Sequence, residues 1–155
     1  MLEPVLLNRS EIDSFRWDLC IADSVNSVFY GFSWYLDIVS ESWQALVWPS
    51  AENYQIVMPL PVKKRWGLSA IYQPHFCQFL GLFSASEITC DIVNVFLKSC
   101  FSRFFYISSY CFHPDLSGTI LASLHRFPNI SFAEKYTFRK SLALNESYNT
   151  DRKRN

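Results

Sequence analysis

Two short runs rich in β-formers, WQALVW (43–48) and YQIVMPLPV (54–62), face each other across the polar connection PSAEN (49–53). Apolar runs this close in sequence, separated by Pro, Ser and Asn, predict an antiparallel hairpin. Pro59 and Pro61 cannot donate ladder hydrogen bonds, so the second strand is expected to end or lie at an edge around them. The basic loop KKRWG (63–67) comes next.

On either side of the hairpin the apolar spacing changes. Ser10 followed by Asp13 reads as a helix N-cap, and Ile12, Phe15 and Leu19 recur at helical spacing, predicting a first helix over 10–22. SWYLDIVS (33–40) offers a capping serine and apolar residues at 35, 36, 38 and 39, so a short second helix with its aromatic side inward is expected. Beyond the hairpin, strands are predicted around 69–73 and 77–83. After Ser84 or Ser86, ITCDIVNVFLKSC places apolar residues at 88, 92, 95, 96 and 100, the spacing of a helix with one buried face. FFYISSYCF (104–112) reads as a strand, and Phe132 to Leu144 contains at least one more. Helix, helix, hairpin, strands, helix, strand and strand specify an α/β sandwich with a mixed sheet. No internal repeat or low-complexity tract is visible.

Half of the residues are apolar and 17% are aromatic, which suits one compact domain with a sizeable core and excludes disorder over most of the length. The fourteen basic and fourteen acidic residues are unevenly spread: residues 1–134 hold 8 basic against 12 acidic, and 135–155 hold 6 against 2. An acidic body offers no broad footprint for a nucleic-acid backbone, so DNA binding is set aside. The longest stretch without Asp, Glu, Lys or Arg, Trp66 to Ser86, carries Gln73, Pro74, His75 and Gln78 in its middle, which argues against a transmembrane segment. Nothing near Met1 resembles a secretory signal, where Glu3 and Pro4 interrupt the apolar residues. Five cysteines, at 20, 77, 90, 100 and 111, form an odd set without CxxC spacing and predict reduced thiols in a cytoplasmic protein.

The blocks SWYLDIVSESWQALVW, YQIVMPLPVKKRWG and IYQPHFCQFLGLFS, followed by a helix, resemble the first half of bacterial Fem-type (FemAB/FemX-like) proteins within the GNAT acyltransferase superfamily. SLALNESYNTDRKRN is similar to the strand and Asn/Arg-rich helix start that join the two GNAT-like halves of such proteins. The resemblance covers most of residues 30–155, with its best blocks at 33–83 and 141–155. It implies a GNAT-like fold, a mixed sheet flanked by helices, in a two-half protein that transfers acyl or aminoacyl groups to amines. On this reading residues 1–144 form one GNAT-like domain, and 145–155 are a basic tail that starts a linker helix. The final Lys153-Arg154-Asn155 looks like the opening of a helix, so the chain is expected to be the first part of something longer. The half carried here is not expected to be catalytic alone. Acyl-CoA or aminoacyl-tRNA are the donors considered for the full-length protein.

The resemblance also implies where a cofactor pyrophosphate would sit: on the backbone N–H groups of a [Q/R]xxGx[G/A] loop at a helix N-terminus, where the dipole favours anions. Gln78, Phe79, Leu80, Gly81, Leu82 and Phe83 come nearest to that pattern, with a helix start expected within three residues. The pattern departs at Phe83, where a small residue would admit the pyrophosphate. The competing reading of 77–83 is an apolar core strand, with Gly81 marking a bulge or close backbone contact.

Tyr72, Gln73, His75 and Gln78 concentrate polar side chains between two apolar strands, where they would line a cleft. A ligand would meet two amides, a phenol donor and an imidazole that titrates near neutral pH. The alternative is a connecting segment whose side chains satisfy local backbone groups. Tyr72, Gln73, His75, Gln78 and Gly81 are thus the candidate ligand-binding residues. His75-x-Cys77 and Cys111-x-His113 each place two potential ligands on one strand face, but nothing requires the pairs to meet, and no metal site is assigned. Asp91 and Glu87 read as first-turn helix acids. Five Trp, eight Tyr and fourteen Phe exceed what one core needs, so an aromatic face is expected to meet a missing second GNAT-like half or to self-associate. The alternative function is a noncatalytic binding or scaffolding module with a degenerate cofactor loop.

Overall fold

The computed structural model describes residues 3–65 and 67–134. Its strands are β1 (Val5–Asn8), β2 (Trp43–Ser50), β3 (Asn53–Arg65), β4 (Leu68–Ile71), β5 (Phe83–Ser84) and β6 (Tyr106–Ile107). Its α-helices are α1 (Ser14–Asp23), α2 (Ser33–Val39), α3 (Cys90–Arg103) and α4 (Ser117–Leu124). The sheet runs β1-β2-β3-β4-β6, with β5 against β3. All pairs are antiparallel except β4 and β6, which run parallel, as does the isolated bridge between Leu80 and Phe112. The expected α/β mixed sheet flanked by helices is what the chain forms.

The predicted hairpin is β2–β3, in register from Trp43 opposite Pro61 to Ser50 opposite Asn53, with an irregularity between Trp48 and Pro49. β3 does not end at its prolines. The Val62 N–H donates to Ser42 O on the β2 side, so the alternate positions 59 and 61 turn the other way. On that flank β5 pairs Ile56 and Val57, and β4 pairs residues from Val62 on. Both prolines fall in the gap between these partners. Their carbonyls still accept, Pro59 from Tyr110 Oη at 2.7 Å and Pro61 from the Tyr72 N–H at 3.1 Å.

Alternation along the hairpin loads both faces. Ala45, Val47 and Val57 pack with Trp17, Ile21 and Leu36 on the α1–α2 side. Leu46, Ile56, Met58, Leu60 and Val62 pack with Val93, Phe96, Leu97 and Ile120 on the α3–α4 side. Burial of both faces explains why the runs read as continuously apolar.

The first helix begins later than Ser10, which lies in a 3-10 turn, Arg9–Glu11, closed by Asn8 and Glu11. Asp13 is the true cap, accepting from the N–H groups of Phe15 and Arg16 at 3.0 and 3.1 Å. The inward face changes accordingly. Trp17 and Ile21 are buried, while Phe15 and Leu19 are 73% and 47% exposed. The Trp17 indole fixes this register by donating to Gly31 O at 2.8 Å. A Cβ on Gly31 would meet the Phe83 ring at 3.0 Å and Ile21 Cδ1 at 3.1 Å, so any larger residue there would require these side chains to shift.

In α2 the expected inward aromatic side is overturned: Leu36 is buried and Trp34 is 52% exposed. Ser33 does not cap the helix. Its N–H and Oγ are held by the Asp18 carboxylate at 2.7 and 3.0 Å, which turns Leu36 toward the sheet. α3 starts at Cys90 with Thr89 as cap and buries Val93, Phe96, Leu97, Ser99 and Cys100, with Ile92 and Val95 only half-buried.

The strands predicted over 77–83 and 104–112 shrink to Phe83–Ser84 and Tyr106–Ile107, because each segment finds a ladder partner over only part of its length. The helix α4 is absent from the sequence reading. Residues 132–134 form no strand, and the remainder of the strand expected before Leu144, with the tail 145–155, lies outside the described residues. No helix among the described residues is long and apolar enough to cross a membrane.

Candidate functional site

The chain between β4 and β5 carries every candidate residue, and hydrogen bonds show what each one does. Tyr72 belongs to a surface cluster. Its oxygen accepts from the Glu41 N–H at 3.4 Å, and Lys63 Nζ lies 5.8 Å from its ring centre while pairing with Glu41 at 3.3 Å. Gln73 is a staple. Its Nε2 donates to Cys77 O at 2.8 Å, its Oε1 accepts from the Cys111 N–H at 2.9 Å, and its own N–H reaches Ser109 Oγ at 3.3 Å. Both ends of the amide are satisfied by backbone, which is the connecting-segment alternative for this residue.

The loop tip is His75 and Phe76, both exposed. Phe76 has φ of 64°, a conformation bulky residues rarely adopt. Tyr35 fastens it by donating its hydroxyl to Phe76 O at 2.7 Å, and the Cys77 N–H returns to Pro74 O at 3.3 Å.

Past the tip, Gln78 is exposed and the chain then dives into the core. The Leu80 N–H donates to Cys111 O and the His113 N–H to Leu80 O, both at 2.7 Å. Gly81, at φ 124°, donates its N–H to Tyr110 Oη at 3.1 Å, and a Cβ there would lie 3.4 Å from the backbone of His113 and the ring of Phe112. The positive φ is what favours glycine at this position. The helix that was to follow within three residues of Phe83 begins at Cys90, so Gln78–Phe83 does not abut a helix N-terminus. The N–H groups of Leu80 and Gly81 are already taken by protein acceptors.

Tyr110, which the sequence reading passed over, is the hub of this region. Its hydroxyl donates to Pro59 O and accepts from Gly81, tying the 104–113 segment to β3 and to the 80–82 segment at once. Burial, its largest influence, raises its pKa well above 10.0, so the phenol stays neutral. Burial likewise pushes the Cys77 and Cys100 thiols up to about 12 and Cys20 to about 11. These thiols are poor nucleophiles near neutral pH. Of the two Cys/His pairs, Cys77 turns inward while His75 stays exposed, and His113 is buried with Nδ1 accepting from the Asp115 N–H at 3.3 Å. Among the described residues no group of three or more His, Cys, Asp or Glu is arranged to hold a metal ion.

Beside Gln78 and Phe79 opens a groove of about 1630 Å³ between the sheet, α3, α4 and the segment 127–134. Its floor includes Met58, Leu60 and Ile71, and its walls include Phe101, Leu121 and Phe127. Among the described residues no Lys or Arg lines it, and Glu134 is its acidic member. The structure thus brings Gln78 to the groove, uses Gln73 and Gly81 to brace its neighbouring segments, and leaves Tyr72 with Lys63 and Glu41. Compared with known proteins, the chain matches no family model, no curated protein and no solved structure.

Proposed function

We propose that this chain is a GNAT-like half of a protein that transfers acyl or aminoacyl groups to amines, and that it supplies binding surface within that protein. The observation that carries this reading is the connectivity after the hairpin. A segment antiparallel to β3 leads through α3 into a return segment that runs parallel at Leu80–Phe112 and at β4–β6. This arrangement is compatible with a GNAT-like fold, and the groove opens beside it, as ligand clefts do next to parallel strands. Catalysis in such a transferase rests on holding the amine against the carbonyl and polarising its oxygen. A second GNAT-like half is the partner this reading expects.

The spent donors at Leu80 and Gly81 give a specific reason to keep the second reading, a noncatalytic binding or scaffolding module. In either case acyl-CoA has no free N–H cradle at these two positions. Isothermal titration of coenzyme A and acetyl-coenzyme A into the 155-residue chain tests this, and no saturable heat is expected. Saturable micromolar binding, weakened by Gln78→Ala, would make this half the donor site and overturn its assignment as binding surface.

A further inference from the structure

We propose that the corner where the β3–β4 turn meets the start of β6 docks on an anionic lipid surface, with its basic residues on the headgroups and its apolar tips in the interface beneath them. The chain's charge is sorted around this corner. The segments 63–76 and 103–113 hold Lys63, Lys64, Arg65 and Arg103, four of the eight basic residues of 1–134, and none of the twelve acidic ones. The other four basic residues share the rest of 1–134 with all twelve acids, so a negative surface attracts this corner and repels the remaining sides. Glu41 reaches in to hold Lys63 at 3.3 Å, whereas Lys64 pairs with no acid among the described residues.

The fold brings these residues together. β2 begins opposite Pro61, so β3 runs on past it through Lys63, Lys64 and Arg65 with β4 as its ladder partner, and Gly67 at φ 80° lies in the turn back. β6 runs parallel to β4 with Tyr106 beside Ala70, so the chain that leaves α3 at Arg103 joins the sheet at the end of β4 nearest that turn. Apolar side chains stand among the charges: Leu68 is 62% exposed, Tyr106 59% and Phe105 93%, and the sequence adds Trp66. Register puts Lys63, Ala70 and Tyr106 on the sheet face opposite Val62, Ile71 and Ile107. Those three pack with the α3–α4 core, so the face that carries Tyr106 turns away from the groove and from the residues 127–134 that border it. Charge alone would suit any polyanion. Leu and Phe side chains held out among cations suit a bilayer, whose headgroup region takes Trp and Tyr rings and whose acyl boundary takes aliphatic ones. A phosphate backbone offers Leu68 nothing.

Co-sedimentation of the full chain with vesicles of phosphatidylcholine containing about one-third phosphatidylglycerol tests the docking. Binding that is absent from pure phosphatidylcholine and falls as salt rises is the expected result. Lys64→Gln with Arg65→Gln should weaken it at least about 10-fold, and so should Leu68→Ser with Phe105→Ser. Lys64, Leu68 and Phe105 are exposed, so the melting temperature of each double variant should stay within about 2 °C of wild type. No binding at low salt would overturn the proposal, and so would equal binding to neutral vesicles. Binding kept in both double variants but lost on Arg152→Gln with Lys153→Gln and Arg154→Gln would place the contact on the basic tail and overturn it too. Loss in the charge variant with full binding by Leu68→Ser/Phe105→Ser would leave a polyanion site with no lipid component. Mixed-sequence single-stranded RNA bound more tightly than the vesicles would assign the corner to nucleic acid. Either of these last results overturns the lipid assignment.

Discussion

Replacing Tyr110 with Phe removes one oxygen and keeps the ring, so it isolates the two hydrogen bonds that join β3, the 80–82 segment and the 104–113 segment. The hydroxyl gives its proton to Pro59 O at 2.7 Å and accepts the Gly81 N–H at 3.1 Å. Without it both backbone groups lose this partner in an enclosed place. Leaving a buried polar group unpaired costs about 1–3 kcal/mol, and a carbonyl tolerates it better than an N–H. No cavity term is added, because the ring still fills its site. The expected loss is about 2 kcal/mol, or roughly 4–8 °C in melting temperature for a chain of this size. Urea unfolding should show a lower midpoint with an unchanged slope. Tyr72→Phe is the internal control, since its oxygen accepts one bond of 3.4 Å at the surface and its loss should cost no more than about 0.5 kcal/mol. Equal stability of the two variants would refute the role given to Tyr110. An alkaline series adds a second readout. Burial holds the folded phenol's pKa well above 10.0, so this stability is present below pH 10, is lost as pH rises beyond it, and is missing from Tyr110→Phe.

Two further outcomes follow from the same geometry. Asp37 accepts Arg9 Nε and Nη2 at 2.6 and 2.7 Å and the Trp43 indole at 2.8 Å, and the Arg9 bond is the main reason its pKa is lowered. That stability is present above the ordinary carboxylate pKa of 3.8 and lost as pH falls below it, so Asp37→Asn should cost about 1 kcal/mol at pH 7 and flatten the acid limb of a stability–pH curve. The Cys100 thiol, raised from 9.0 to about 12 by burial, keeps its proton in the folded chain while the unfolded chain loses it. Folding stability should therefore fall as pH climbs from 9 toward 12, and Cys100→Ala should make that alkaline slope shallower in urea titrations while the shares of Cys77, Cys20 and Tyr110 remain.

The layer pattern was legible because burial on both faces of a hairpin leaves a mark in sequence: WQALVW and YQIVMPLPV are apolar almost throughout. Three of the four α-helices were legible from apolar spacing, α4 was not, and helix facing was misread. Phe15 and Leu19 are as apolar as Trp17 and Ile21, and what favours the inward pair are contacts distant in sequence, the Trp17 bond to Gly31 O and packing against Trp43 and Val57. Ser33 misled as a cap because Asp18, on another helix, claims both its N–H and its hydroxyl. The prolines of β3 misled in the opposite sense, since a strand that changes partners along one flank offers them a gap that local sequence does not advertise.

The candidate site tests what a short motif can carry. Gln78–Phe83 has a glycine where an anion-binding turn would, and sequence spacing alone cannot say whether its N–H groups point at solvent or at protein. The competing acceptors come from Tyr110 and Cys111, about thirty residues downstream by sequence, and each takes one donor. A pyrophosphate seated on Leu80 and Gly81 would have to displace both, break the tie to Pro59 and part the only described parallel contact between the 80 and 112 segments. Gln73 tells the same story from the other side of the loop. It looked like a ligand amide, but its carbonyl and amino ends are spent holding Cys111 and Cys77, so a ligand could recruit it only by releasing the loop that presents Phe76. Of the polar residues of this segment, Gln73 is thus part of the loop's frame, while Gln78 stays on the rim of the groove and Tyr72 with Glu41 and Lys63.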